Sequence, residues 1–322
     1  MNPSDAFDPR TFAVLGAGPV GAIVAAFLAK GGYDVTLCDV ATELIEAAAN
    51  PPGIRIEGAE NFEQVIPKTV ASIDDLAQDP PQVIIIAVKA NALPLIASAI
   101  ESFIQPGMAV VSWQNGIDTE LELAKTLGRE AVMRAVVNYG CGLKAPGQVV
   151  MPFHHAPHFI QELDPNNQAA AKAIADAFSR CGLTTEHTDQ IVSKVWRKSI
   201  MNACMNPVCA VTGLTMAQAM NDPMVFETVD ALLKECVKVA RANEIFIGWD
   251  YYPGAVAYMR NAGNHKPSML MDVENKRLTE IDFINGKFVD YGAQAGIATP
   301  YNATLKSLVK GIESAMGRSV SY

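Results

Sequence analysis

Three polar side chains at a regular interval are the residues of this sequence best suited to chemistry. Lys198, Asn202 and Asn206 stand four residues apart in the largely apolar stretch 191–207. At roughly 100° per residue, this spacing puts one ammonium and two amides on one face of a helix. Burying an unpaired amide costs about 1 to 3 kcal/mol and an ammonium more, so the face needs partners. A bound ligand would provide them, and so would a polar seam on a neighbouring helix.

Two later segments carry groups that complement this face. Ser268 stands at the start of a predicted helix, where backbone N–H groups favour a carboxylate. Glu280 and Asp282 lie among apolar neighbours, so we expect at least one of these acids to be partly buried and to need a cation, for which Lys198 is a candidate. An ordinary N-cap for Ser268 and an ordinary surface position for Glu280 are the alternatives.

A glycine-rich turn near the N-terminus predicts dinucleotide binding. It follows a strand predicted over 11–15 and precedes a helix predicted over 22–30, and a second strand over 35–38 ends at Asp39. Glycines in a G-x-G-x-x-G turn of this kind let the backbone approach a pyrophosphate, whose charge sits at the helix N-terminus. The predicted cofactor-binding residues of the turn are Gly16, Ala17, Gly18, Pro19, Val20 and Gly21.

The acid at the end of the second strand bears on the choice of cofactor. Asp39 can accept hydrogen bonds from ribose hydroxyls, and its charge would repel a 2′-phosphate. No lysine or arginine occurs from residue 40 to residue 54. We therefore predict that NAD(H) is favoured over NADP(H).

Two buried strands deliver polar residues to the edge of the predicted sheet. The strand over 82–88 leads to Lys89, and the strand over 108–113 leads to Asn115. Ligands bind at the carboxyl ends of parallel strands, so both residues are candidates for cofactor or substrate contacts. Thr119 and Glu122 then have the spacing of a capping box that opens the next helix.

The remaining pattern divides the chain into two predicted domains. We expect a small hairpin over 53–67, two strands within 132–150 and a connection over 182–190, after which strand-like runs vanish and helices dominate. Pro207 is expected to end the helix that carries Lys198. The predicted fold class is an α/β Rossmann-type N-terminal domain, residues 1–189, with an all-α substrate and catalytic domain, residues 190–322.

Composition excludes several classes of function. The net charge of −9 over 322 residues offers no basic field for nucleic acid or anionic lipid. The uncharged run 12–29 is broken by glycines and proline, which argues against a membrane helix or signal peptide. Six scattered cysteines indicate core residues in a reducing, cytoplasmic compartment.

Three histidines within 154–158 raise the question of a metal site. Pro157 disrupts the spacing of the histidines and no acid or cysteine stands nearby, so we predict no metal site.

The sequence is compatible with a homodimer. A helix predicted over 223–243 is the candidate to pack between subunits, although we expect this helix to lie in the core of its own domain.

These segments together resemble the ketopantoate reductase family, which makes pantoate for coenzyme A. The resemblance runs over nearly the whole chain and is carried most specifically by the C-terminal motifs. The matching segments are the turn 16–21, Val88-Lys89, Gln114-Asn115-Gly116, residues 196–198 with Asn202 and Asn206-Pro207, Ser268-Met269-Leu270 with Asp272, and residues 280–286.

The resemblance implies an activity and a set of roles. It implies reduction of 2-dehydropantoate to pantoate, with Lys198 as the general acid and Glu280 interacting with it. Asn202, Asn206 and Ser268 would hold the substrate, a small 2-oxo acid. Lys89 and Asn115 would lie near the cofactor and the reacting centre, and Asn115 would also contact the substrate.

Departures from the family pattern keep alternatives open. NADPH-specific members have a basic residue at the position of Asp39, and residues 151–158 are idiosyncratic. A related NAD-dependent dehydrogenase of another hydroxy acid or alcohol is the first alternative. The second is a non-catalytic NAD(H)-binding sensor, which would need the glycine-rich turn and Asp39 but not Lys198 or Glu280.

Overall fold

The computed structural model describes residues 7–318, which divide into two compact units. The first unit runs to Gln114 and resumes from Asp118 to Ile191, and the second consists of Asn115–Ile117 and the chain from Val192 onwards. The chain thus changes unit after Ile191, against a domain boundary predicted between 189 and 190. The short segment Asn115–Ile117 belongs by its contacts to the second unit, which the linear domain prediction did not include.

A mixed eight-stranded sheet forms the centre of the first unit. Its strands are β1 (Thr11–Leu15), β2 (Asp34–Cys38), β5 (Lys68–Val70), β6 (Val83–Ile86), β7 (Ala109–Ser112), β8 (Val132–Val136), β11 (His158–Glu162) and β12 (Thr185–His187). Their order is β12-β11-β8-β7-β6-β1-β2-β5, and all neighbours from β8 to β5 are parallel, whereas β11 is antiparallel to β8. The residues of β6 are all buried, as expected for a central parallel strand with both faces covered.

Two hairpins build a second, four-stranded sheet in the same unit. Its order is β4-β3-β10-β9, formed by β3 (Ile54–Gly58), β4 (Phe62–Gln64), β9 (Tyr139–Ala145) and β10 (Gln148–His154). The predicted hairpin over 53–67 is confirmed as β3 and β4. Residues 132–150 contain three strands and not the expected two: β9 and β10 form a hairpin, and β8 pairs with β7 and β11. The predicted connection over 182–190 contains β12, which pairs with β11.

Five α-helices complete the described part of the first unit. They are α1 (Pro19–Lys30), α2 (Thr42–Ala49), α3 (Leu93–Glu101), α4 (Thr119–Leu127) and α5 (Gln168–Arg180). Aromatic side chains join the sheet to α5: the ring of Phe178 lies 4.7 Å from that of Trp113 and 6.3 Å from that of Phe12, centroid to centroid. Burial of these large rings stabilises this layer.

The second unit is helical, and its described part contains no strand. Its helices are α6 (Ile191–Thr212), α7 (Met216–Asn221), α8 (Pro223–Ala242), α9 (Tyr251–Asn261), α10 (Ser268–Glu274), α11 (Asn285–Gln294) and α12 (Pro300–Arg318). One face of α8 is buried in the core of this unit, including Leu232, Leu233 and Cys236. The predicted fold class, a Rossmann-type α/β domain followed by an all-α domain, is confirmed.

All six cysteines are free thiols, and all but Cys141 are buried. Burial raises the pKa of the Cys209 thiol to about 12, so this side chain is an uncharged core group at neutral pH. Across residues 7–318, no helix has both the length and the apolar character needed to cross a membrane.

Candidate active site

The glycine-rich turn has the geometry that a dinucleotide requires. Gly16 has a φ of +105°, and a Cβ on Gly21 would lie 1.8 Å from the carbonyl oxygen of Gly16, so neither position accepts a larger residue. A Cβ on Gly18 would meet no atom within 4 Å, which leaves open space in front of this residue. Because α1 begins directly after Gly18 with Pro19 at its first position, the open side faces a helix N-terminus. These residues fit a bound pyrophosphate.

Asp39 is fixed at the end of β2 by the turn itself. One carboxylate oxygen accepts a hydrogen bond from the backbone N–H of Ala17 at 2.6 Å, and the other accepts one from Ala41 at 2.9 Å. The backbone N–H of Gly16 also donates to the carbonyl of Cys38 at 2.8 Å. A carboxylate has about four acceptor sites, so two of them are left for the hydroxyls of a ribose.

Lys89 follows the end of β6, at the carboxyl edge of the large sheet. It is half-buried and precedes a short 3-10 helix, Ala90–Ala92, whose last N–H donates to the Lys89 carbonyl at 3.0 Å. The preceding Val88 adjoins the turn, since a Cβ on Gly16 would lie 3.0 Å from its Cγ1. The structure thus brings Lys89 and the turn to the same edge of the sheet.

Helix α6 presents the predicted polar face. Lys198 and Asn202 are half-buried on it and Asn206 is buried. The helix is anchored next to this face by Trp196, whose ring makes edge contacts with Phe288 at 5.4 Å and with Tyr291 at 5.0 Å between centroids. Packing of this large ring against α11 fixes the rotation of α6 about its own axis where the polar face begins.

The prediction that Pro207 ends the helix is wrong. Helix α6 continues to Thr212 with Pro207 in its interior. Proline cannot donate to the carbonyl four residues before it, which is that of Ala203, and an interior proline costs a helix about 3 kcal/mol or more. The Nδ2 group of Asn285 donates to this carbonyl at 3.0 Å instead. A tertiary hydrogen bond therefore replaces the one that the helix lacks.

Of the two acids in the C-terminal motif, Glu280 is the buried one. Its exposed fraction is 7%, whereas Asp282 is exposed and pairs with Lys306 at 3.4 Å and Lys310 at 3.2 Å. The buried Thr279 anchors this segment, because its backbone N–H and its hydroxyl donate to Glu313 at 2.8 and 2.7 Å. Glu280 is thus held in place by its neighbours on either side.

The carboxyl of Glu313, which receives these two hydrogen bonds, stays ionised. Burial acts to raise the pKa of Glu313, but hydrogen bonds from Lys310 and Thr279 outweigh burial and hold the pKa below its ordinary value. The Nζ of Lys310 lies 2.6 Å from Glu313. The anchor of the Glu280 segment is therefore a charge-assisted one at neutral pH.

Asn115 lies with the helical unit. The backbone N–H of Ile117 donates to the carbonyl of Phe283 at 2.9 Å, and Gly116, with a φ of +107°, packs so closely that a Cβ would lie 2.9 Å from that of Phe283. Phe283 ends the 3-10 helix that follows Glu280. The structure therefore brings Asn115 to the same segment as Glu280.

Ser268 is the first residue of α10, and the cap position before it is taken by Pro267. The alternative that Ser268 is an ordinary N-cap is therefore wrong, while its predicted place at a helix start is confirmed.

The predicted site residues divide between the two units. The glycine-rich turn, Asp39 and Lys89 belong to the α/β unit, and Lys198, Asn202, Asn206, Ser268, Glu280 and Asn115 belong to the helical unit.

A buried ionic cluster around Arg134 was missed from the sequence. The Nη1 of Arg134 donates to the hydroxyl of Ser112 at 2.9 Å and to that of Thr119, and its Nε lies 3.5 Å from a carboxylate oxygen of Glu120. Ser112 in turn donates to Gln114 Oε1 at 2.8 Å. The predicted capping box at Thr119 is therefore wrong, because its hydroxyl belongs to this cluster and α4 starts after a residue without a side-chain cap.

The histidine segment forms a stacked pair in the α/β unit. The rings of His154 and His158 lie 5.1 Å apart at 14°, with their Nε2 atoms 3.2 Å from each other. The Nδ1 of His158 accepts from the backbone N–H of Asn138 at 3.0 Å. No group of three or more metal-ligating side chains occurs in the part of the chain that the structure describes.

This fold and these residues define a dinucleotide-dependent oxidoreductase built from an α/β unit and a helical unit. The chain belongs to the ketopantoate reductase family. The family model "Ketopantoate reductase PanE/ApbA" matches residues 12–164, and "Ketopantoate reductase PanE/ApbA C terminal" matches residues 190–313. Members of this group are NAD(P)-dependent oxidoreductases that act on CH–OH groups, and the chain is one of them.

Individual relatives are similar over nearly the full length. The 2-dehydropantoate 2-reductase of Archaeoglobus fulgidus is 28% identical over 307 residues, which cover 94% of this chain and 98% of the relative. A solved structure of D-mandelate dehydrogenase with NADH and anilino(oxo)acetate is 29% identical, with a TM-score of 0.86 and coverage of 95% and 99%. A PanE/ApbA family ketopantoate reductase from Ralstonia eutropha is 26% identical, with a TM-score of 0.83 and coverage of 96% and 100%.

Proposed function

We propose that this protein is an NAD(H)-dependent reductase of a small 2-oxo acid, with 2-dehydropantoate as its substrate and pantoate as its product. The observation that carries the proposal is the polar face of α6, on which Lys198 and two amides interrupt a buried helix within the unit that also buries Glu280. The names of the relatives support the substrate.

The reaction assigns a role to each of these groups. When bound, the nicotinamide cofactor would supply the hydride that the ketone carbon receives. The ammonium of Lys198 donates a proton to the carbonyl oxygen and stabilises the negative charge that develops there. Glu280 orients this ammonium. Asn202, Asn206 and Ser268 bind the carboxylate and hydroxyl groups of the acid.

Holding the cofactor is the task of the α/β unit. The backbone of the glycine-rich turn would bind the pyrophosphate, and Asp39 would accept hydrogen bonds from the ribose hydroxyls with the lone pairs that the N–H groups of Ala17 and Ala41 leave free. Lys89 of this unit would contact the cofactor near the reacting centre, as would Asn115, which belongs to the helical unit. Because the net charge is −9, the anionic substrate has to be bound by local donors and not by a general positive field.

The charge of Asp39 leads to a prediction about cofactor choice. We expect kcat/KM to be higher with NADH than with NADPH, because a 2′-phosphate would lie against the carboxylate. Asp39→Asn keeps one acceptor oxygen and removes the charge, so it should lower the NADH/NADPH ratio about tenfold, the equivalent of about 1.4 kcal/mol. Steady-state kinetics with both cofactors measures this ratio.

A matched control comes from the other end of the same strand. Asp34 is exposed and pairs with Lys68 at 2.5 Å, so Asp34→Asn should leave the cofactor ratio unchanged. A tenfold preference of the wild-type protein for NADPH would contradict the role of Asp39.

A second candidate function is oxidation of another 2-hydroxy acid with NAD+. The observation in its favour is the similarity to D-mandelate dehydrogenase with NADH, together with Asp39, since NAD is commonly used in the oxidative direction. The same set of polar residues would serve, because proton donation by Lys198 becomes proton abstraction in the reverse reaction.

One panel of substrates distinguishes these candidate functions. NADH oxidation is measured with 2-dehydropantoate and with phenylglyoxylate, the 2-oxo acid of mandelate, and NAD+ reduction with pantoate and D-mandelate. Rapid turnover of 2-dehydropantoate is the expected result. Turnover confined to the aromatic pair would favour the second candidate, and NADH binding without turnover of any acid would favour a non-catalytic sensor.

A further inference from the structure

The amide of Asn285 occupies a special place next to the polar face of α6. Its Nδ2 donates at 3.0 Å to the carbonyl of Ala203, the group that loses its helical donor because of Pro207. Ala203 follows Asn202 directly, and Asn206 precedes Pro207 directly. The replaced hydrogen bond therefore spans the turn of α6 that carries both amides of the proposed substrate site.

Asn285 is itself held by a buried network. Its Nδ2 also donates to Asn302 Oδ1 at 2.9 Å, and the side-chain and backbone N–H groups of Asn302 donate to Glu235 at 2.7 and 2.9 Å. Asn285 and Asn302 are fully buried and Glu235 nearly so. Because Glu235 also accepts a hydrogen bond from the backbone N–H of Tyr301 at 3.1 Å, its carboxyl group lies at the N-terminus of α12. The donor to Ala203 is thus fixed by α8 and α12.

The position of Asn285 in the chain adds a second connection. It opens α11 directly after the segment of Glu280 and the 3-10 helix Ile281–Phe283. The hydrogen bond to Ala203 therefore ties the segment of Glu280 to the helix of Lys198. Within residues 7–318, Asn285 Oδ1 has no hydrogen-bond partner, so the network uses the two donors of this amide.

We propose that Asn285 is a positioning residue for the reaction: it restores the hydrogen bond that Pro207 removes and so holds the polar face of α6 in register with Glu280. The inference rests on the proposed function, because it acts through Lys198, Asn202 and Asn206. A misplacement of reacting groups by about 1 Å can cost a hundredfold in rate, so a helix turn lacking this bond is enough to affect catalysis.

The test relies on Pro207 as the reason why the carbonyl of Ala203 needs a hydrogen bond from Asn285. Asn285→Ala should lower kcat/KM for the 2-oxo acid by about ten- to thirtyfold, a part of the loss that misplacement can cause. NADH affinity should stay within about twofold, because the cofactor residues other than Asn115 lie in the other unit. In Pro207→Ala the new N–H can donate to Ala203, so the double variant should regain at least about half of that loss on a logarithmic scale.

Asn243 supplies the matched control. Its amide also donates to helix carbonyls, that of Val239 at 2.9 Å and that of Tyr291 at 3.3 Å, and neither carbonyl belongs to α6. Asn243→Ala should change kcat/KM little, and Pro207→Ala should not alter its effect. Where Asn285→Ala does not fold, Asn285→Ser retains a short donor and replaces it in the same cycle.

The outcomes separate the two proposals. A rescue by Pro207→Ala that is specific to the Asn285 variants, with unchanged NADH affinity, supports the positioning role. Additive effects of the two substitutions in an active protein would refute the positioning role alone. A wild-type protein that turns over no acid of the panel would refute the proposed function, and the positioning role with it.

Discussion

Replacing Lys198 with alanine should lower turnover of the 2-oxo acid at least about a hundredfold, the lower end for loss of a general acid. The ammonium is the group on the α6 face that can both release a proton and stabilise an oxyanion, whereas Asn202 and Asn206 can only donate hydrogen bonds. NADH affinity should persist, because the glycine-rich turn and Asp39 belong to the other unit. Single-turnover kinetics and fluorescence titration with NADH measure the two quantities.

Two further variants sharpen this test. Lys198→Met keeps the bulk of the side chain without its charge, so an added primary amine such as ethylamine should restore part of the turnover in the alanine variant but not in the methionine variant. Lys234→Ala is the control, since this lysine is an exposed residue of α8 that pairs with Asp230 at 2.6 Å. Unchanged turnover in Lys198→Ala would remove Lys198 from the mechanism.

Local sequence was enough for the elements that carry the site. The strand, turn, helix and second strand around residues 16–21 were predictable because Gly16 and Gly21 each answer a short-range requirement of the backbone. The common face of Lys198, Asn202 and Asn206 followed from helical periodicity alone. Their catalytic and binding roles stay predictions that the experiments above decide.

The wrong predictions have one cause in common: each of them concerns a residue whose partner is distant in sequence. Pro207 does not end α6 because Asn285, 82 residues beyond Ala203, donates to the carbonyl that proline leaves without a partner. Thr119 makes no capping box because Arg134 takes up its hydroxyl. Asn115 joins the helical unit through neighbours that contact Phe283. In each case the residue was visible in the sequence and its partner was not.

The cluster around Arg134 leads to the second large expected effect, this time on stability. The side chain of Arg134 is 3% exposed, and its Nε lies 3.5 Å from Glu120, whose side chain is 12% exposed. Removing one partner of a buried ion pair leaves the other charge without compensation, which costs about 3 to 5 kcal/mol. We expect Arg134→Met to lower the free energy of unfolding of the α/β unit by this amount, measured by urea denaturation.

An exposed ion pair in the same unit provides the comparison. Arg55 and Glu63 join β3 to β4 at 2.6 Å with nearly half of each side chain exposed, so Arg55→Met should cost no more than about 1 kcal/mol. Adding Glu120→Gln to Arg134→Met removes the uncompensated charge and should recover part of the loss. Equal effects of Arg134→Met and Arg55→Met would show that the buried cluster contributes no more than a surface pair. Its place beside Gln114, directly before Asn115, would then need an explanation other than stability.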